Sequence, residues 1–585
     1  MARMTNKHKT WAVRAPNMLG LTTTTQNEET PMLNERLRSH DWYHRTIPQL
    51  FAQTCAAHAD KVAIVFEERE MRFGELHEQV QRVAQGLLDL GVGKGDVVST
   101  LPSATPEFAV LYYATLQVGA IVNPLNLLWG TTELRGVLQR NAPKVIVAVD
   151  QQGPRDVLAM LQGALPDLVR EGDRARSADL PSLQRVVCVG RSGPVPAGYI
   201  DFETLREPSR TVDTARLQAL VDQGQATDIQ FMCQTSGTTS LSKSALWDHR
   251  PPLATAHFGA RNLRITEDDR YINLAPFYHN SGLFALTMSL AYAGTTLYLM
   301  DGFQPQAALA LIDRHGCTCT FGFDAHWQGM RRVPGFEQYR FTICKAILAG
   351  EPRTYDLVRG MCPPGATINN LYAQTENGPL VSLADHDCVN EDINKFTHGR
   401  PLPGVEVVIK DIDTGARLVQ GEAGEICYKS PYLFRGYHRQ PDETAKAFDA
   451  DGYFHSGDYG HLDNGYITYL GRLGGVVKSG GENVSTTRVT TDLLNIFGEA
   501  FDDVKTVGID DPYWGTKVVS FVRMRGGQPM PSTAELRESC KGRMAVYEIP
   551  RDFLAWSGEW PVTPEGKIDF KRLQAAAKEQ LAATA

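Results

Sequence analysis

A hydroxyl-rich segment at residues 235–244, TSGTTSLSKS, has the side chains that a polyphosphate needs. Seven of its ten residues carry hydroxyl groups, one is Gly237 and one is Lys243. Backbone N–H groups, hydroxyl donors and a cation on one loop are suited to binding phosphate oxygens. The spacing is not that of a Walker loop, since no GK[ST] follows at the required position. Taken alone, a segment of this composition is more typical of a polar surface turn.

Four later segments add side chains that could do chemistry. Residues 372–376, YAQTE, place an aromatic ring and a carboxylate after a predicted strand, where open α/β sheets bind ligands. Residues 454–458, FHSGD, supply a carboxylate suited to a ribose diol. Residues 478–483, KSGGEN, predict a tight turn whose bare backbone can approach a ligand. Residues 563–569, TPEGKID, present a single lysine on a turn.

Alternating β-type runs and amphipathic helices must position these segments. Residues 62–66 predict a strand, and residues 75–90 predict a helix whose leucines and valines share one face. The alternation continues to about residue 405, which favours α/β layers with helices covering mixed sheets. Short strands predicted at 405–409 and 425–428, separated by turns that contain glycine, then indicate a β-rich subdomain.

The chain length indicates more than one domain. A chain of 585 residues exceeds what one hydrophobic core normally serves. We predict an N-terminal arm at residues 1–45, a large multi-layer domain at 46–471, and a small α+β lid domain at 472–585. Residues 471–475, GRLGG, lie at the predicted joint. A reaction centre is expected between the two domains.

Composition and charge exclude several classes of protein. A hydrophobic content of 42% and a net charge of −8 describe an ordinary globular protein and do not favour nucleic acid or an anionic membrane as a partner. The most apolar stretch, residues 283–300, contains polar residues and predicts a buried helix and strand rather than a membrane span. The ten cysteines include no CxxC, so neither a zinc cluster nor a disulfide framework is implied. We expect a reducing cytoplasm, since no signal peptide is recognisable.

In their order and spacing, these segments resemble the adenylate-forming (ANL) superfamily of acyl-CoA synthetases, luciferases and peptide-synthetase adenylation domains. The resemblance covers the chain from about Phe51 to Leu573. The family patterns TSGTTGxPKG, YGxTE, GWFxTGD, KxxGExV and PxTxxGKI align with residues 235–244, 372–376, 452–458, 478–484 and 561–568. The resemblance implies two half-reactions. A carboxylate attacks the α-phosphate of Mg-ATP to give acyl-AMP and pyrophosphate, and the CoA thiol then attacks acyl-AMP after the small domain rotates.

The resemblance also implies a role for each aligned residue. Lys567 would stabilise charge on the α-phosphate, and Glu376 would hold Mg²⁺. His279, in the segment APFYHN beside the acyl pocket, would contact the carboxylate or gate the pocket, with a buried structural histidine as the alternative. AMP binding is implied for Thr235, Ser236, Gly350, Tyr372, Thr375, Asp458 and Arg472, phosphate binding for Gly237, Thr238, Thr239 and Lys243, CoA binding for Lys478, Gly480 and Gly481, and a hinge for Gly474.

Several residues depart from the family pattern on the ATP side. Ser240, Ser242 and Ser244 replace glycine, proline and glycine. A β-carbon at positive φ costs on the order of 1 kcal/mol per site, and these side chains are expected to crowd backbone that must approach pyrophosphate. Ala373 replaces a glycine. Glu351 stands where the family has a neutral residue, and its carboxylate would repel phosphate if it pointed into the site.

We therefore predict an acyl-CoA ligase that forms a thioester from the acyl-adenylate of a bulky hydrophobic acid, with ATP-dependent adenylation impaired. The pattern resembles the non-adenylating acyl-CoA ligases of platensimycin-type diterpenoid biosynthesis. Coenzyme A and acyl-AMP are the expected ligands, with ATP and Mg²⁺ if adenylation is retained, and a separate adenylating enzyme is a possible partner. The alternatives are a conventional two-step ATP-dependent synthetase, a non-catalytic protein that binds acyl-AMP or CoA, and a ligase that serves a carrier protein.

Overall fold

The computed structural model describes residues 40–235, 242–384, 390–479, 482–541, 543–562 and 568–584. Most of the predicted 1–45 arm lies outside this part of the chain. Several predicted site residues also lie outside it, namely Ser236, Gly237, Thr238, Thr239, Ser240, Gly480, Gly481 and Lys567. Their assigned roles stay predictions.

Strands and helices alternate through most of the described chain. The strands are β1 Val62–Phe66, β2 Arg69–Arg72, β3 Val97–Leu101, β4 Ile121–Pro124, β5 Val145–Val149, β6 Gln151–Gln152, β7 Arg155–Asp156, β8 Val169–Glu171, β9 Arg174–Arg176, β10 Arg185–Val189, β11 Ile200–Asp201, β12 Phe231–Gln234, β13 Ser244–Trp247, β14 Arg270–Ile272, β15 Thr296–Leu299, β16 Cys319–Phe323, β17 Lys345–Ala349, β18 Thr367–Ala373, β19 Leu380–Leu383, β20 Arg400–Pro401, β21 Glu406–Lys410, β22 Ala423–Lys429, β23 Phe454–Asp463, β24 Tyr466–Arg472, β25 Val476–Ser479, β26 Glu482–Ser485, β27 Phe501–Asp511, β28 Gly515–Met524 and β29 Asp552–Ala555. The α-helices are α1 Ile47–Ala57, α2 Phe73–Asp89, α3 Pro106–Gln117, α4 Thr131–Asn141, α5 Val157–Ala164, α6 Phe202–Arg206, α7 Thr214–Gln223, α8 Arg250–Leu263, α9 Asn280–Leu286, α10 Pro305–His315, α11 Asp324–Arg331, α12 Pro352–Met361, α13 Glu391–Phe396, α14 Pro441–Lys446, α15 Thr486–Phe497, α16 Thr533–Cys540 and α17 Phe570–Thr584.

Two large sheets form the framework of the N-terminal part. The nine-stranded sheet has the order β2-β1-β15-β14-β16-β17-β18-β19-β20, and its strands from β1 to β18 in that order are parallel. The seven-stranded sheet has the order β11-β10-β5-β3-β4-β12-β13, with only β13 antiparallel to its neighbour. Helix α3 is buried along nearly its whole length, as expected for a helix enclosed by other layers.

Two smaller sheets complete the described chain. Strands β21, β22, β23 and β24 form an antiparallel sheet, which is the predicted β-rich subdomain. Strands β25 to β29 form a five-stranded mixed sheet with its own core against α15, α16 and α17. The prediction of an α/β fold with a large N-terminal domain and a small α+β C-terminal domain is confirmed. The sheets change between Arg472 and Val476, and the exact division at residue 471 stays a prediction.

The local predictions agree with the structure to within a few residues. The helix predicted at 75–90 is Phe73–Asp89, and the strand predicted at 62–66 is Val62–Phe66. The apolar stretch at 283–300 contains the end of α9, a π-helical segment and β15. Within the described residues, no helix is both long enough and apolar enough to cross a bilayer. The nine cysteines of this part are all free thiols.

The carboxyl ends of the parallel strands meet at one edge of the nine-stranded sheet. The segments that follow β14, β16, β17 and β18 therefore converge there, because neighbouring parallel strands end on the same side. Those segments contain His279, Asp324, Gly350 and Thr375. The topology thus brings together residues that are up to about a hundred positions apart in sequence.

Substitution of Gly399 tests a close approach between the residue that precedes β20 and the end of β19, within this sheet. A β-carbon at Gly399 would lie 2.0 Å from the backbone carbon of Leu383, and φ is +81°. We expect Gly399→Ala to lower the free energy of unfolding by roughly 3 kcal/mol or more, since both strain and a backbone clash act. Gly421→Ala is the matched control, because φ is +86° and the surrounding space is open.

Gly421→Ala should lower the free energy of unfolding by only about 1 kcal/mol, because it adds a β-carbon at positive φ without a clash. Urea unfolding of both variants, followed by tryptophan fluorescence, provides the comparison. Equal losses of stability in the two variants would contradict the close approach at Gly399.

Candidate active site

A buried carboxylate, Asp458, lies at the centre of the predicted site. Its side chain is 2% exposed, and its Oδ2 accepts hydrogen bonds from the Tyr372 hydroxyl and from Gln374 Nε2, each at 2.6 Å. Arg472 Nε lies 3.1 Å from Oδ1, and its side chain is 60% exposed. The backbone N–H of Asp458 bonds the Ser456 hydroxyl at 3.0 Å. The predicted residues Tyr372, Asp458 and Arg472 therefore form one cluster.

The environment of Asp458 disfavours its ionised form. Burial raises the pKa of this carboxyl to about 6, although Arg472 and the Tyr372 hydroxyl act in the opposite direction. Oδ1 is buried, and within the described part of the chain it accepts no hydrogen bond, since Arg472 approaches it without the alignment that such a bond requires. One carboxylate oxygen thus lacks a hydrogen-bond donor among the described residues, although the Arg472 guanidinium lies beside it.

Tyr372 is more deeply buried than an aromatic ring that only stacks on adenine needs to be. The residue is 4% exposed, and its ring stacks on that of Tyr469 with centroids 6.0 Å apart. Its hydroxyl is committed to Asp458. The predicted contact with adenine therefore stays a prediction, whereas a structural role in holding Asp458 is observed.

A second group of charges surrounds Glu376. The Tyr437 hydroxyl donates to Glu376 Oε1 at 2.7 Å, and Lys243 Nζ lies 4.8 Å from the centre of the Tyr437 ring. Lys243 also pairs with Glu443 at 2.7 Å. Arg472 and Glu376 are close enough to affect one another, as are Glu376 and Asp458. The predicted phosphate-binding lysine and the predicted magnesium ligand therefore lie on one side of the Asp458 cluster.

Thr375 and Thr235 connect these groups to the sheets. The Thr375 carbonyl accepts a hydrogen bond from Trp247 Nε1 at 2.9 Å, and its hydroxyl accepts one from Asn280 Nδ2 at 3.0 Å. Thr235 and Lys243 are joined by a backbone hydrogen bond of 2.9 Å from Thr235 N to Lys243 O. The ends of the hydroxyl-rich segment are thereby held side by side.

His279 is exposed rather than part of the core. Its Nδ1 accepts from the backbone N–H of Ser281 at 3.2 Å, which caps helix α9, and its ring meets that of Phe323 edge-on at 5.4 Å. Burial lowers the pKa of the neighbouring His326 to about 4, and the charge of His279 adds to this effect. The alternative of a buried core histidine therefore does not apply to His279.

Gly350 and Glu351 lie between β17 and α12. A β-carbon at Gly350 would come within 2.9 Å of Thr354 Cβ, so the position has no room for a side chain. Glu351 Oε2 lies 4.0 Å from Arg353. Burial raises the pKa of Glu351, whereas Arg353 and the nearby Thr491 of the small domain act in the opposite direction.

The expectation that serines crowd the hydroxyl-rich segment is wrong for Ser242 and Ser244. Neither residue has a positive φ, so the conformational cost does not arise. The Ser242 hydroxyl donates to Glu133 Oε1 at 2.7 Å, and the buried Ser244 hydroxyl lies 2.8 Å from Asn141 Oδ1. Both side chains point toward α4, because that helix supplies polar acceptors that the sequence pattern does not reveal.

The predicted CoA-binding and hinge residues lie at the start of the small domain. Lys478 pairs with Asp413 of the β-rich subdomain at 2.7 Å, and both side chains are exposed. Gly474 stands in a short 3₁₀ turn, and a β-carbon there would meet open space. The structure does not place these residues next to Asp458.

The sequence did not single out four residues that complete the site. Gln374 donates to both Asp458 and the Ser456 carbonyl, and Tyr428 donates to Gln374 Oε1 at 2.9 Å. Tyr437 and Glu443 contact Glu376 and Lys243, as described above. Gln374 was within a recognised segment, but the two tyrosines come from other strands and loops and had no local signal.

Proteins of similar sequence are named as acyl-CoA synthetases. The family model described as AMP-binding enzyme matches residues 51–438. The putative acyl-CoA synthetase YngI of Bacillus subtilis is 26% identical over 539 residues, which cover 91% of this chain and 97% of YngI. The medium-chain fatty-acid–CoA ligase of Escherichia coli is 27% identical over 538 residues, which cover 90% and 89% of the two chains.

Solved structures share the fold over almost the whole chain. The anthranilate CoA ligase AuaEII in complex with anthranoyl-AMP has a TM-score of 0.76 at 23% identity, covering 93% of this chain and 98% of AuaEII. ATP-bound MatB from Rhodopseudomonas palustris has a TM-score of 0.73 at 24% identity, covering 91% and 99%. These similarities agree with the large and small domains seen here.

Adenosine affinity should fall as the pH is lowered through about 6. Asp458 accepts hydroxyl donors best when ionised, and its raised pKa of about 6 lets protons compete with the ligand. Well below that pKa, each pH unit should weaken binding about tenfold. Adenosine is the probe because a phosphate monoester itself titrates near pH 6. Calorimetric titration between about pH 5 and pH 7 provides the measurement.

Asp458→Asn is the control, since it keeps the size of the side chain without its titration. This variant should bind adenosine weakly, with no pH dependence over that range. A steep pH dependence that survives in Asp458→Asn would assign the titration to another group.

Proposed function

Because the chain belongs to the AMP-binding enzyme family, we propose that it is an acid–thiol ligase that activates a carboxylic acid as its AMP ester and transfers the acyl group to CoA. The observation that carries this proposal is the buried Asp458, whose Oδ1 accepts no hydrogen bond from the described residues. A ribose diol would donate to this oxygen, with Arg472 beside it at the cleft. The relatives are named a putative acyl-CoA synthetase and a medium-chain fatty-acid–CoA ligase, which supports the same reaction.

The first half-reaction needs positive groups near the phosphates and a carboxylate for Mg²⁺. Glu376 offers hard oxygen ligands of the kind that Mg²⁺ prefers, and the Tyr437 hydroxyl orients it from one side. Lys243 lies beside the same tyrosine, where its charge would neutralise a polyphosphate. The role of Lys567 in stabilising the α-phosphate and the acyl carboxylate rests on its motif, since this residue lies outside the described chain.

The second half-reaction requires the CoA thiol to reach the same adenylate. Lys478 belongs to the small domain, and its ion pair with Asp413 links it to the β-rich subdomain. The part of Gly480 and Gly481 in this step rests on their motif. Rotation of the small domain about Gly474 would break this exposed pair at little cost. A carrier-protein thiol could replace CoA in this step, and titrating CoA against a purified carrier with supplied acyl-AMP discriminates the two acceptors.

A hydrophobic acyl group is part of the proposal. A small cavity lies beside the segment that leads to His279, and its lining is mostly apolar, with Pro276, Phe277, Met300 and Phe303 among the lining residues. Phe303 contacts His326, and a chain of aromatic rings continues from there to His279. This connection supports a pocket that holds the acid's apolar part, and the bulky terpenoid acid is the more specific hypothesis.

Impaired adenylation, with dependence on a separate adenylating enzyme, is the alternative to this two-step reaction. The directions of Ser242 and Ser244 remove one argument for impairment and support the conventional two-step enzyme. Glu351 and Ser240 remain as departures on the ATP side. A cytoplasmic location is proposed as well, and the free thiols of the described chain suit a reducing compartment.

Two rates measured on one preparation test the proposed function and distinguish it from impaired adenylation. We expect ATP–pyrophosphate exchange that depends on a medium-chain acid, together with CoA thioester formation from synthetic acyl-AMP. Asp458→Asn should lower both rates by at least about tenfold, because the adenylate is bound in both half-reactions. Robust exchange would contradict impaired adenylation. The absence of both activities, with acyl-AMP still bound, would instead favour a non-catalytic binding protein.

A further inference from the structure

The residues Ser242, Lys243 and Ser244 point in alternate directions. The two serine hydroxyls face α4, whereas Lys243 faces Glu443 and Tyr437 on the opposite side. This alternation is that of an extended chain, in which successive side chains lie on opposite faces. Whatever holds the serines on one face therefore fixes the direction of the lysine on the other.

Helix α4 holds Ser242 by two contacts. The Ser242 hydroxyl donates to Glu133 Oε1 at 2.7 Å, and Arg140 Nη2 donates to the Ser242 carbonyl. Ser242 is 4% exposed, so little solvent competes for its hydroxyl. A hydrogen bond to a charged acceptor is about twice as strong as one between neutral groups. Glu133 and Arg140 also attract one another electrostatically, which keeps both in place.

Ser244 continues the attachment into a buried polar network. Its hydroxyl lies 2.8 Å from Asn141 Oδ1 at the end of α4 and 2.9 Å from Gln234 Oε1 on β12. Asn141 and Gln234 both donate to Asn123 Oδ1, and Asn123 donates to Ser99 Oγ at 2.6 Å. The network therefore links α4 to strands β3, β4 and β12. Buried networks of this kind are rigid when their groups are satisfied.

The opposite edge of the same segment is fixed by backbone contacts. His438 N donates to the Ser244 carbonyl at 2.8 Å, and Ala245 forms a bridge with Tyr437. The loop that carries Tyr437, whose hydroxyl bonds Glu376, thus lies alongside the segment that carries Lys243. Movement of Ser242 or Ser244 would shift Lys243 relative to both residues.

We propose that Glu133 and Asn141 are positioning residues, which hold Ser242 and Ser244 so that Lys243 points toward Glu443 and the ring of Tyr437. Where the family pattern has proline and glycine, this chain replaces a constraint on φ with hydrogen bonds from side chains to a neighbouring helix. The inference rests on the proposed function for its kinetic consequence. The attachment itself can be measured without any turnover.

The kinetic test is a double-mutant cycle on the Ser242–Glu133 contact. Glu133→Ala and Ser242→Ala should each lower kcat/KM for ATP in pyrophosphate exchange about tenfold, mostly through KM. The double variant should be no worse than the poorer single variant, since both remove one contact. Glu133→Gln keeps an acceptor oxygen and should recover most of the loss. Glu78→Ala, which removes a surface carboxylate paired with Arg82 on α2, is the matched control.

A second pair of variants asks whether the contact acts through Lys243. Glu133→Ala should add little to the loss caused by Lys243→Ala, because the positioning residue has no effect without the lysine. Ser242→Pro in the Glu133→Ala background should restore exchange, since proline resupplies a restraint on the backbone. Thioester formation from synthetic acyl-AMP should be unchanged in Glu133→Ala, because no pyrophosphate takes part.

Hydrogen exchange measured by mass spectrometry separates this inference from the proposed function. Amides of β13 should exchange at least about tenfold faster in Glu133→Ala than in the wild type or in Glu133→Gln. If the wild type shows no ATP–pyrophosphate exchange, the proposed ATP-dependent function is wrong. Hydrogen exchange of the β13 amides still tests whether Glu133 holds Ser242 in place. Unchanged amide exchange in β13, additive losses in the cycle, or equal losses in Glu133→Gln and Glu133→Ala would overturn the proposal.

Discussion

Asp458 joins the two sheets between which the candidate site lies. The carboxylate belongs to β23 of the β-rich subdomain, while its hydrogen-bond donors Tyr372 and Gln374 belong to β18 and the residues after it. A buried carboxylate is stable only where donors and an opposite charge compensate its lost hydration. The site geometry therefore follows from the need to satisfy this group. Burial raises the pKa of Asp458 to about 6, because these donors and Arg472 offset only part of the lost hydration.

The parallel strands supply the second constraint. Neighbouring parallel strands end at one edge, so the connections after β14, β16, β17 and β18 must converge there. His279, Gly350 and Thr375 occupy those connections, and side-chain bonds such as Asn280 to Thr375 lock them together. The candidate site residues are thus held by regular secondary structure, although they themselves lie in loops. Such an arrangement allows precise placement without burying the whole site.

Ser242 and Ser244 show how a change of residue type can be read in two ways. Compared with the family motif, the two serines predict a less suitable phosphate loop, because glycine and proline have backbone properties that serine lacks. In the structure the two hydroxyls bond Glu133 and Asn141, and the same backbone is held from outside. A hydrogen bond to a partner more than a hundred residues away has no local signature. Only the packing of α4 against β13 decides which interpretation applies.

The sequence by itself determined the fold class, the order of the elements and the family, because periodicity and ordered motifs depend on neighbours along the chain. It also indicated Tyr372, Glu376, Asp458, Arg472 and Lys243 as members of one site. Only the tertiary structure decided that Gln374 and Tyr437 complete it, that Tyr372 is committed to Asp458, and that His279 is exposed. Those contacts join residues from different sheets, and their distances depend on packing in three dimensions, which no pattern along the chain encodes.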